Sequence, residues 1–445
     1  MNLDAIFKAY DVRGLYPSQI DEEVAHRVGR ALVELTKAKR IVVAHDMRAS
    51  SEPLSNAFIS GVLSQGADVA DLGLASTDTL YFASGRLDSP GAVFTASHNP
   101  AEYNGIKLCR AGAVPIGEET GLLDIKGMVA ANAFPPGKRP GSAERIDLMR
   151  DYVDHVTSLV DTRSIRDLTV VVDAANGMGG LTVPAVFDRL RVDLVPLFFE
   201  LDGTFPNHPA DPIQPENLKD LIAAVNDKDA DIGLAFDGDA DRVFVVDERG
   251  EPVSGSQTAA LVAKSILEKH PGEKVIYSLT SSRIVPETIR EAGGTPIRSR
   301  VGHSFIKQVM AETGAVFGGE HSGHYYFRDH YRADCGLLAA MYVLEVLSAA
   351  GKPLSQVLAP LRRYWNSGEI NSEVKDKEAA MKAVAEMFPP ERRDWTDGLT
   401  VSFDEWWFNL RPSNTEPLLR LNVEARDRAL GEAKRDEILA VIRER

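Results

Sequence analysis

Residues 41–100 read IVVAHDMRASSEPLSNAFISGVLSQGADVADLGLASTDTLYFASGRLDSPGAVFTASHNP, and their apolar pattern alternates between two periods. Residues 41–44 form a short continuous apolar run, the pattern of a strand buried on both faces. Residues 53–64 carry the spacing of an amphipathic helix. A second strand follows at 67–74, a second helix at 78–87 and a third strand at 92–95. Strands alternating with helices in this way predict an α/β layer with largely parallel strands.

The pattern extends outward from this stretch. Residues 135–142, PPGKRPGS, read as a linker. Strands are then expected at 168–172, 192–199 and 232–236, with a helix at 218–227. A third block has a strand at 275–279 and helices at 258–269, 284–292, 305–312 and 333–349. After Gly351 the character changes to strand-like runs at 399–403, 406–410 and 418–423 before a terminal helix. That is an α+β tail. No sequence repeat and no low-complexity tract is visible.

The chain has 445 residues, which at about 150 residues per domain suggests roughly three domains, with two to four compatible. Its 44% apolar and 26% charged residues are those of a globular enzyme. A net charge of −15 argues against nucleic-acid or anionic-membrane binding, since such surfaces are basic. It leaves room for a phosphorylated small substrate held in a focused basic cleft. Two cysteines point to a reducing compartment, with Cys109 a small core residue and Cys335 undecided. The N-terminal MNLDAIFKAYDVRG has no apolar signal-peptide core, and no uninterrupted apolar stretch reaches about 18 residues. A cytoplasmic location is expected.

Four stretches carry chemistry. Thr95-Ala96-Ser97-His98-Asn99-Pro100 leaves the end of a strand, where open α/β sheets bind ligands. Pro100 stops a helix from continuing. Ser97, on an exposed turn, reads as a nucleophilic or phosphorylated serine, or else as part of a polar turn.

Asp237-Gly238-Asp239-Ala240-Asp241-Arg242 lies between two strand-like runs. Alternate side chains of an extended backbone share a face, so three carboxylates can converge there. Their repulsion calls for a hard cation, and oxygen-only ligands favour Mg²⁺ or Ca²⁺ over Zn²⁺. A helix–loop–helix Ca²⁺ site would place Glu248 at its last ligand position. It would also need glycine where Arg242 stands. A solvated acidic hairpin is the plain alternative. Arg242 suits a phosphate or sugar oxygen.

Gly318-Gly319-Glu320-His321-Ser322-Gly323-His324 offers Glu320 and Ser322 to vicinal hydroxyls, with glycines allowing close approach. His321 and His324 suggest Zn²⁺ only weakly, without cysteines nearby, and an ordinary turn is the alternative. Arg411-Pro412-Ser413-Asn414-Thr415-Glu416-Pro417 gathers a guanidinium, hydroxyls and an amide suited to a phosphate dianion, or forms a hairpin turn. Arg13 and Lys107 taken singly read as surface or salt-bridge residues. Gly177-Met178-Gly179-Gly180 partly matches a phosphate-binding turn.

Together the four motifs, in this order, resemble the α-D-phosphohexomutase family of the phosphomannomutase/phosphoglucomutase type. The resemblance implies a heart-shaped four-domain architecture. Three related α/β domains would precede a C-terminal α+β domain similar to the TATA-box-binding protein. The implied units are a phosphoserine-loop domain at 1–140, a metal-binding domain at 141–252, a sugar-binding-loop domain at 253–364 and a phosphate-binding domain at 365–445.

It further implies reversible interconversion of hexose 1-phosphate and hexose 6-phosphate through phosphorylated Ser97 and a hexose 1,6-bisphosphate, which also acts as activator. One Mg²⁺ per chain would be held by Asp237, Asp239, Asp241 and Ser97. Glu320 and Ser322 would contact sugar hydroxyls, and Arg411, Ser413, Asn414 and Thr415 would clamp the non-transferring phosphate. Arg13, His98, Lys107, Arg242, His303 and His324 would form a supporting ring, with Lys107 a proton acceptor or donor. Tyr10 and Arg300 complete the substrate contacts. The implied partners are small hexose phosphates, with no nucleic acid and no membrane, and the implied state is a monomer or weak homodimer.

One position departs from the family pattern. In Ser278-Leu279-Thr280-Ser281-Ser282-Arg283, Thr280 stands where some members carry a basic residue, and Arg283 or Arg300 is the expected replacement. His321 stands where phosphoglucosamine mutases usually carry Gln, which favours mannose and glucose phosphates over glucosamine phosphate. A non-catalytic sugar-phosphate sensor would need neither Ser97 nor the aspartates. A phosphatase would not need the Arg411 clamp.

Overall fold

The computed structural model describes residues 2–135, 137, 139–413 and 418–443. It contains four sheets. In the first, Val12–Leu15, Tyr103–Arg110, Gly91–Phe94, Arg40–His45, Asp68–Leu74 and Ala143–Arg145 lie side by side. The strands Arg40–His45, Gly91–Phe94 and Asp68–Leu74 run parallel, as the alternation predicts. The segment after the Pro/Gly-rich break still belongs to this layer, because Ala143–Arg145 pairs with Asp68–Leu74.

The second sheet has the order Pro252–Val253, Val243–Asp247, Ile232–Phe236, Arg166–Asp173, Arg191–Leu197. The third has the order Thr295–Ser299, Lys274–Ser278, Phe317–Gly319, Tyr325–Phe327. The three layers share a device that no sequence repeat announces. In each, a parallel strand turns back into an antiparallel neighbour: Gly91–Phe94 into Tyr103–Arg110, Ile232–Phe236 into Val243–Asp247, and Phe317–Gly319 into Tyr325–Phe327. The three hairpin turns contain Ser97, the aspartates and Glu320–His324. The fourth sheet is wholly antiparallel, Trp365–Glu373, Leu418–Ala425, Trp406–Pro412, Leu399–Ser402, Arg393–Asp394, and its Arg411 motif also joins two paired strands.

Expected elements appear with small shifts. The helix expected at 333–349 begins later, as Gly336–Ala350, because Asp334 bridges to Tyr326 and Cys335 becomes the N-cap, its Sγ accepting from Leu338 N at 3.3 Å. Cys109 is fully buried in the core. The helix Glu22–Thr36, capped by Asp21, and the helix Lys377–Glu386 had no expectation attached to them. The largest apolar cluster runs from Tyr152 to Leu361, so the second and third layers share one core, which Phe82 of the first layer joins. The fourth layer has a core of its own, built around Trp406, Phe408 and Ile438. Among the described residues no single helix is long and apolar enough to cross a membrane. The bent pair Gly336–Ala350 and Leu354–Leu361 passes only by length and composition, and Gly336–Ala350 is packed into the core.

Helices Glu22–Thr36 and Ser51–Ser64 cover one face of the first sheet and touch backbone to backbone. A Cβ on Gly61 would lie 2.1 Å from the carbonyl oxygen of His26. Gly61→Val is therefore expected to cost about 1–3 kcal/mol through overpacking. On helix Leu122–Ala131, a Cβ at exposed Gly127 meets nothing within 4 Å. Gly127→Ala is expected to stabilise by about 0.5–1 kcal/mol. Urea unfolding followed by circular dichroism measures both.

Candidate active site

Ser97 closes the first hairpin turn in a left-handed conformation, φ 51°. It was expected on an exposed turn, yet it is only 4% exposed, because the second layer packs over it. A Cβ on Gly238 would lie 2.3 Å from the Ser97 carbonyl oxygen, so only glycine allows this approach. Ser97 Oγ donates to Asp237 Oδ2 at 2.7 Å and accepts from Arg242 Nη2 at 3.1 Å. His98 also faces it, with Nδ1 at 3.3 Å from Ser97 Oγ.

Asp237, Asp239 and Asp241 converge as expected, but not on an extended strand. The backbone turns, with Ala240 left-handed at φ 61°. One oxygen of each carboxylate lies within 4.8 Å of the others, and all three residues are buried. At an effective dielectric of about 20, each pair then repels by about 3 kcal/mol or more, so cations are obligatory. Two supply the offset. Lys107 Nζ lies 2.6 Å from both Asp239 Oδ2 and Asp241 Oδ2. Arg242 reaches Asp237 Oδ2 through Nη2 at 2.8 Å and Nε at 2.9 Å. Thr77 Oγ1 donates to Asp239 Oδ2 at 2.5 Å, a contact the sequence reading missed because a lone threonine at a helix start carries no signal.

The titration behaviour follows from these contacts. Burial pushes the Asp237 carboxyl up, Arg242 opposes it, and the Asp241 and Asp239 charges add to it. Burial would raise Asp239 too, but the Lys107 ammonium and the Thr77 hydroxyl outweigh it and hold the carboxyl below the usual range. Burial works against the Lys107 ammonium, but Asp239 and Asp241 hold its pKa well above the ordinary value. Desolvation, with Arg242 and Arg13 beside it, pushes His98 well below the ordinary imidazole value.

The donor set suits a hard dication. Asp239 Oδ1 and Asp241 Oδ1 are buried without a hydrogen-bond partner among the described residues, and oxygen-only ligands of this charge fit Mg²⁺. The Ca²⁺ helix–loop–helix alternative fails. The flanks are the strands Ile232–Phe236 and Val243–Asp247, and Glu248 turns away to accept from Ser355 N and Oγ. The turn at 177–180 does not form a phosphate cradle. Met178 N donates to Gly238 O at 2.9 Å, so this turn supports the aspartate loop from behind.

The third hairpin joins the same region. Arg242 bridges to His324 as an isolated backbone pair. His324 Nδ1 lies 2.9 Å from Asp334 Oδ2 and 3.7 Å from Asp241 Oδ1, while His321 Nδ1 turns to Ser256 Oγ at 3.1 Å. The two histidines therefore do not share a Zn²⁺ position. Glu320 accepts from Tyr326 Oη at 2.6 Å and Gly302 N at 3.1 Å, and Ser322 sits half-buried on the same turn. Tyr10 donates to Val301 O at 3.1 Å, and its ring meets the His303 ring edge-on at 5.2 Å. Burial pushes the Tyr10 hydroxyl up to about 12, with Glu320 and Asp397 adding and Arg411 and Arg300 opposing. Groups of the third and fourth layers thus face this first-layer tyrosine. Arg300 lies over the Phe305 ring at 4.2 Å. Arg13 Nη1 donates to Asn99 Oδ1 at 2.6 Å and its other nitrogen pairs with Asp11, so it steadies the Ser97 turn.

In the fourth layer Arg411 Nη2 lies 3.2 Å from Glu369 Oε2, and Arg420 Nη1 lies 3.3 Å from Glu369 Oε1. Ser413 N donates to Leu418 O at 2.8 Å. Asn414 and Thr415 lie outside the described residues. Arg283 does not replace the missing basic residue at Thr280. Its guanidinium is spent on the carbonyls of Phe403, Asp404 and Trp406, where it ties the third layer to the fourth.

Comparison with known proteins covers nearly the whole chain. Models of the phosphoglucomutase/phosphomannomutase family match in series: alpha/beta/alpha domain I at 4–135, domain II at 150–250, domain III at 254–364 and the C-terminal domain at 369–441. A phosphomannomutase of Salmonella montevideo is 41% identical, over 99% of this chain and 100% of that protein. A protein of Xanthomonas campestris described as phosphohexose mutases is 41% identical, over 98% of this chain and 99% of its own length. The crystal structure of a phosphoglucomutase/phosphomannomutase family protein from Burkholderia thailandensis superposes with a TM-score of 0.90 at 34% identity, covering 99% of this chain and 98% of that one.

Lys107→Met leaves two buried carboxylates without their cation. It is expected to cost about 3–5 kcal/mol of stability in metal-free buffer. Added Mg²⁺ should restore much of this loss, and thermal melts across a Mg²⁺ series read the difference.

Proposed function

The chain belongs to the phosphoglucomutase/phosphomannomutase family and is an enzyme of the mutase class, and we propose that it interconverts hexose 1-phosphates and hexose 6-phosphates through a phosphoserine at Ser97. One observation carries the reading: a buried serine hydroxyl meets an aspartate of a three-carboxylate cluster and an arginine at the junction of two domains.

In the forward step the phosphoryl group leaves Ser97 Oγ for the free hydroxyl of the bound hexose phosphate. The phosphorus–serine bond breaks, the phosphorus–sugar oxygen bond forms, and the hydroxyl proton moves to a base. Ser97 Oγ regains a proton when the hexose bisphosphate is formed. The intermediate turns over, and its other phosphate returns to Ser97. Asp237, Asp239, Asp241 and the Ser97 side chain would hold a Mg²⁺, which would supply charge neutralisation at the transferring oxygens. Arg242, fixed on Asp237 and Ser97, directs a guanidinium at the same oxygens. Of the two proton roles expected for Lys107, its geometry speaks against that of acceptor, because two carboxylates keep its ammonium charged.

At the far end of the substrate, Arg411 and Ser413, with Asn414 and Thr415, would hold whichever phosphate is not transferring. A phosphate clamp need not recognise a sugar face, so it serves both orientations of the intermediate. Glu320 and Ser322 would take the O3 and O4 hydroxyls. Mannose and glucose differ at C2 only, so both are expected substrates, with the bisphosphate as activator. The names of the full-length relatives support this pair over glucosamine phosphate.

The assay is turnover of mannose, glucose and glucosamine 1-phosphates with Mg²⁺ and catalytic hexose 1,6-bisphosphate. Ser97→Ala should fold normally and lose turnover, and undiminished activity would end the proposal. Arg411→Ala removes a charge-assisted contact worth about 1.5–3 kcal/mol, which predicts a KM about 10- to 150-fold higher. An unchanged KM would remove the clamp.

A further inference from the structure

Arg48 lies just beyond the strand Arg40–His45, and its side chain is wholly buried. Its guanidinium donates to four carbonyl oxygens, three on the Ser97 turn and the fourth on the first residue of the strand that follows it. Nη2 reaches Ser97 O at 2.9 Å and Asn99 O at 2.7 Å, and Nη1 reaches Pro100 O at 2.7 Å and Tyr103 O at 3.1 Å. Nε donates to Asp46 Oδ2 at 3.2 Å. All five N–H donors of the fork are therefore engaged.

These bonds fix the peptide planes of the turn that presents Ser97. That turn is neither helix nor strand, and its serine is held left-handed, a conformation a non-glycine residue keeps only when its surroundings impose it. Ser97 is pinned on both sides. Its N–H donates to Thr95 Oγ1 at 3.0 Å, and its carbonyl is one of the four on Arg48. Only the side-chain torsion is left to aim Oγ.

Arg48 is itself set firmly. Asp46 Oδ1 accepts from Arg48 N at 3.0 Å and from Ser51 Oγ at 2.5 Å. From the second domain, the Phe205 ring lies 5.0 Å from the guanidinium carbon, and a Cβ on Gly203 would lie 2.5 Å from Arg48 Cα.

We propose that Arg48 is a positioning residue for the phosphoryl transfer, acting through the Ser97 backbone without touching the substrate. The proposal rests on the reading of Ser97 as the phosphorylated residue. Each turnover uses Ser97 Oγ twice, once as leaving group and once as nucleophile, so the turn must return it to one place. A misplacement of about 1 Å costs on the order of 10²-fold in rate. A lysine has three donors and no planar fork, and cannot hold four carbonyls.

The test compares Arg48→Lys and Arg48→Met with the unsubstituted enzyme. The readouts are kcat, KM, thermal midpoint, Mg²⁺ affinity and the single-turnover rate of transfer between Ser97 and glucose 1,6-bisphosphate. The expected result is a loss of about 10²-fold in kcat and in single-turnover rate. KM and Mg²⁺ affinity should stay close to the original, and Arg48→Lys should recover little of the rate. Folded variants with an unchanged transfer rate would overturn the proposal, as would a loss of activity accounted for wholly by the unfolded fraction. If neither variant folds, Asp46→Asn and Phe205→Leu decide. Both keep the arginine but loosen it, and they should lower kcat at unchanged KM; normal kcat in both would overturn the proposal. Absence of a phosphate on Ser97 in the unsubstituted enzyme after incubation with the bisphosphate would instead reject the reading of Ser97.

Discussion

Three carboxylates are held together inside the protein, and the rest of the active region is arranged around the charge they create. Asp237, Asp239 and Asp241 are covered by protein on all sides. Unpaired carboxylates so placed would take up protons or unfold the chain. Lys107 and Arg242 offset them from two different domains. Charge balance is therefore also what fastens the serine-bearing layer to the aspartate-bearing one. The bond from Ser97 to Asp237 lies across the same seam. Chemistry and domain docking draw on a single set of contacts.

The fold delivers these groups by repetition. In three layers a parallel strand ends, the chain turns, and an antiparallel strand returns beside it. Such a turn has no hydrogen-bonding partner strand of its own, so its polar groups are free for other uses. The layers face one another at these turns, as the Arg242–His324 bridge between the second and third demonstrates. A single supersecondary device thus gives a serine in one copy, a carboxylate cluster in the next and a Glu–Ser–His set in the third.

Much of this was legible in the sequence because the layers are regular. Apolar runs and helical spacing marked the strands 41–44 and 232–236, and the clustered polar residues after them marked the turns. What the sequence hid was non-local. Ser97 reads as exposed because nothing near it in the chain covers it; Gly238, far along the sequence, does. Arg283 reads as a spare cation near Thr280, but its partners are carbonyls of the last domain. Arg48 carries no signal in the sequence, since backbone carbonyls leave no trace in composition. The aspartates look like one face of a strand, and only the backbone at Ala240 reveals the turn.

The core that runs from Tyr152 to Leu361 has a consequence for how the molecule comes apart. Four units are distinguishable by homology, but two of them are sealed by the same apolar interior. Those two are expected to melt as one cooperative block, while the last unit, with its own interior, opens separately. Calorimetric units and evolutionary modules need not coincide in this chain. Grafting the second module from a relative without the third would cut through packed side chains, whereas exchanging the last module would sever mainly polar ties such as Arg298 to Asp394.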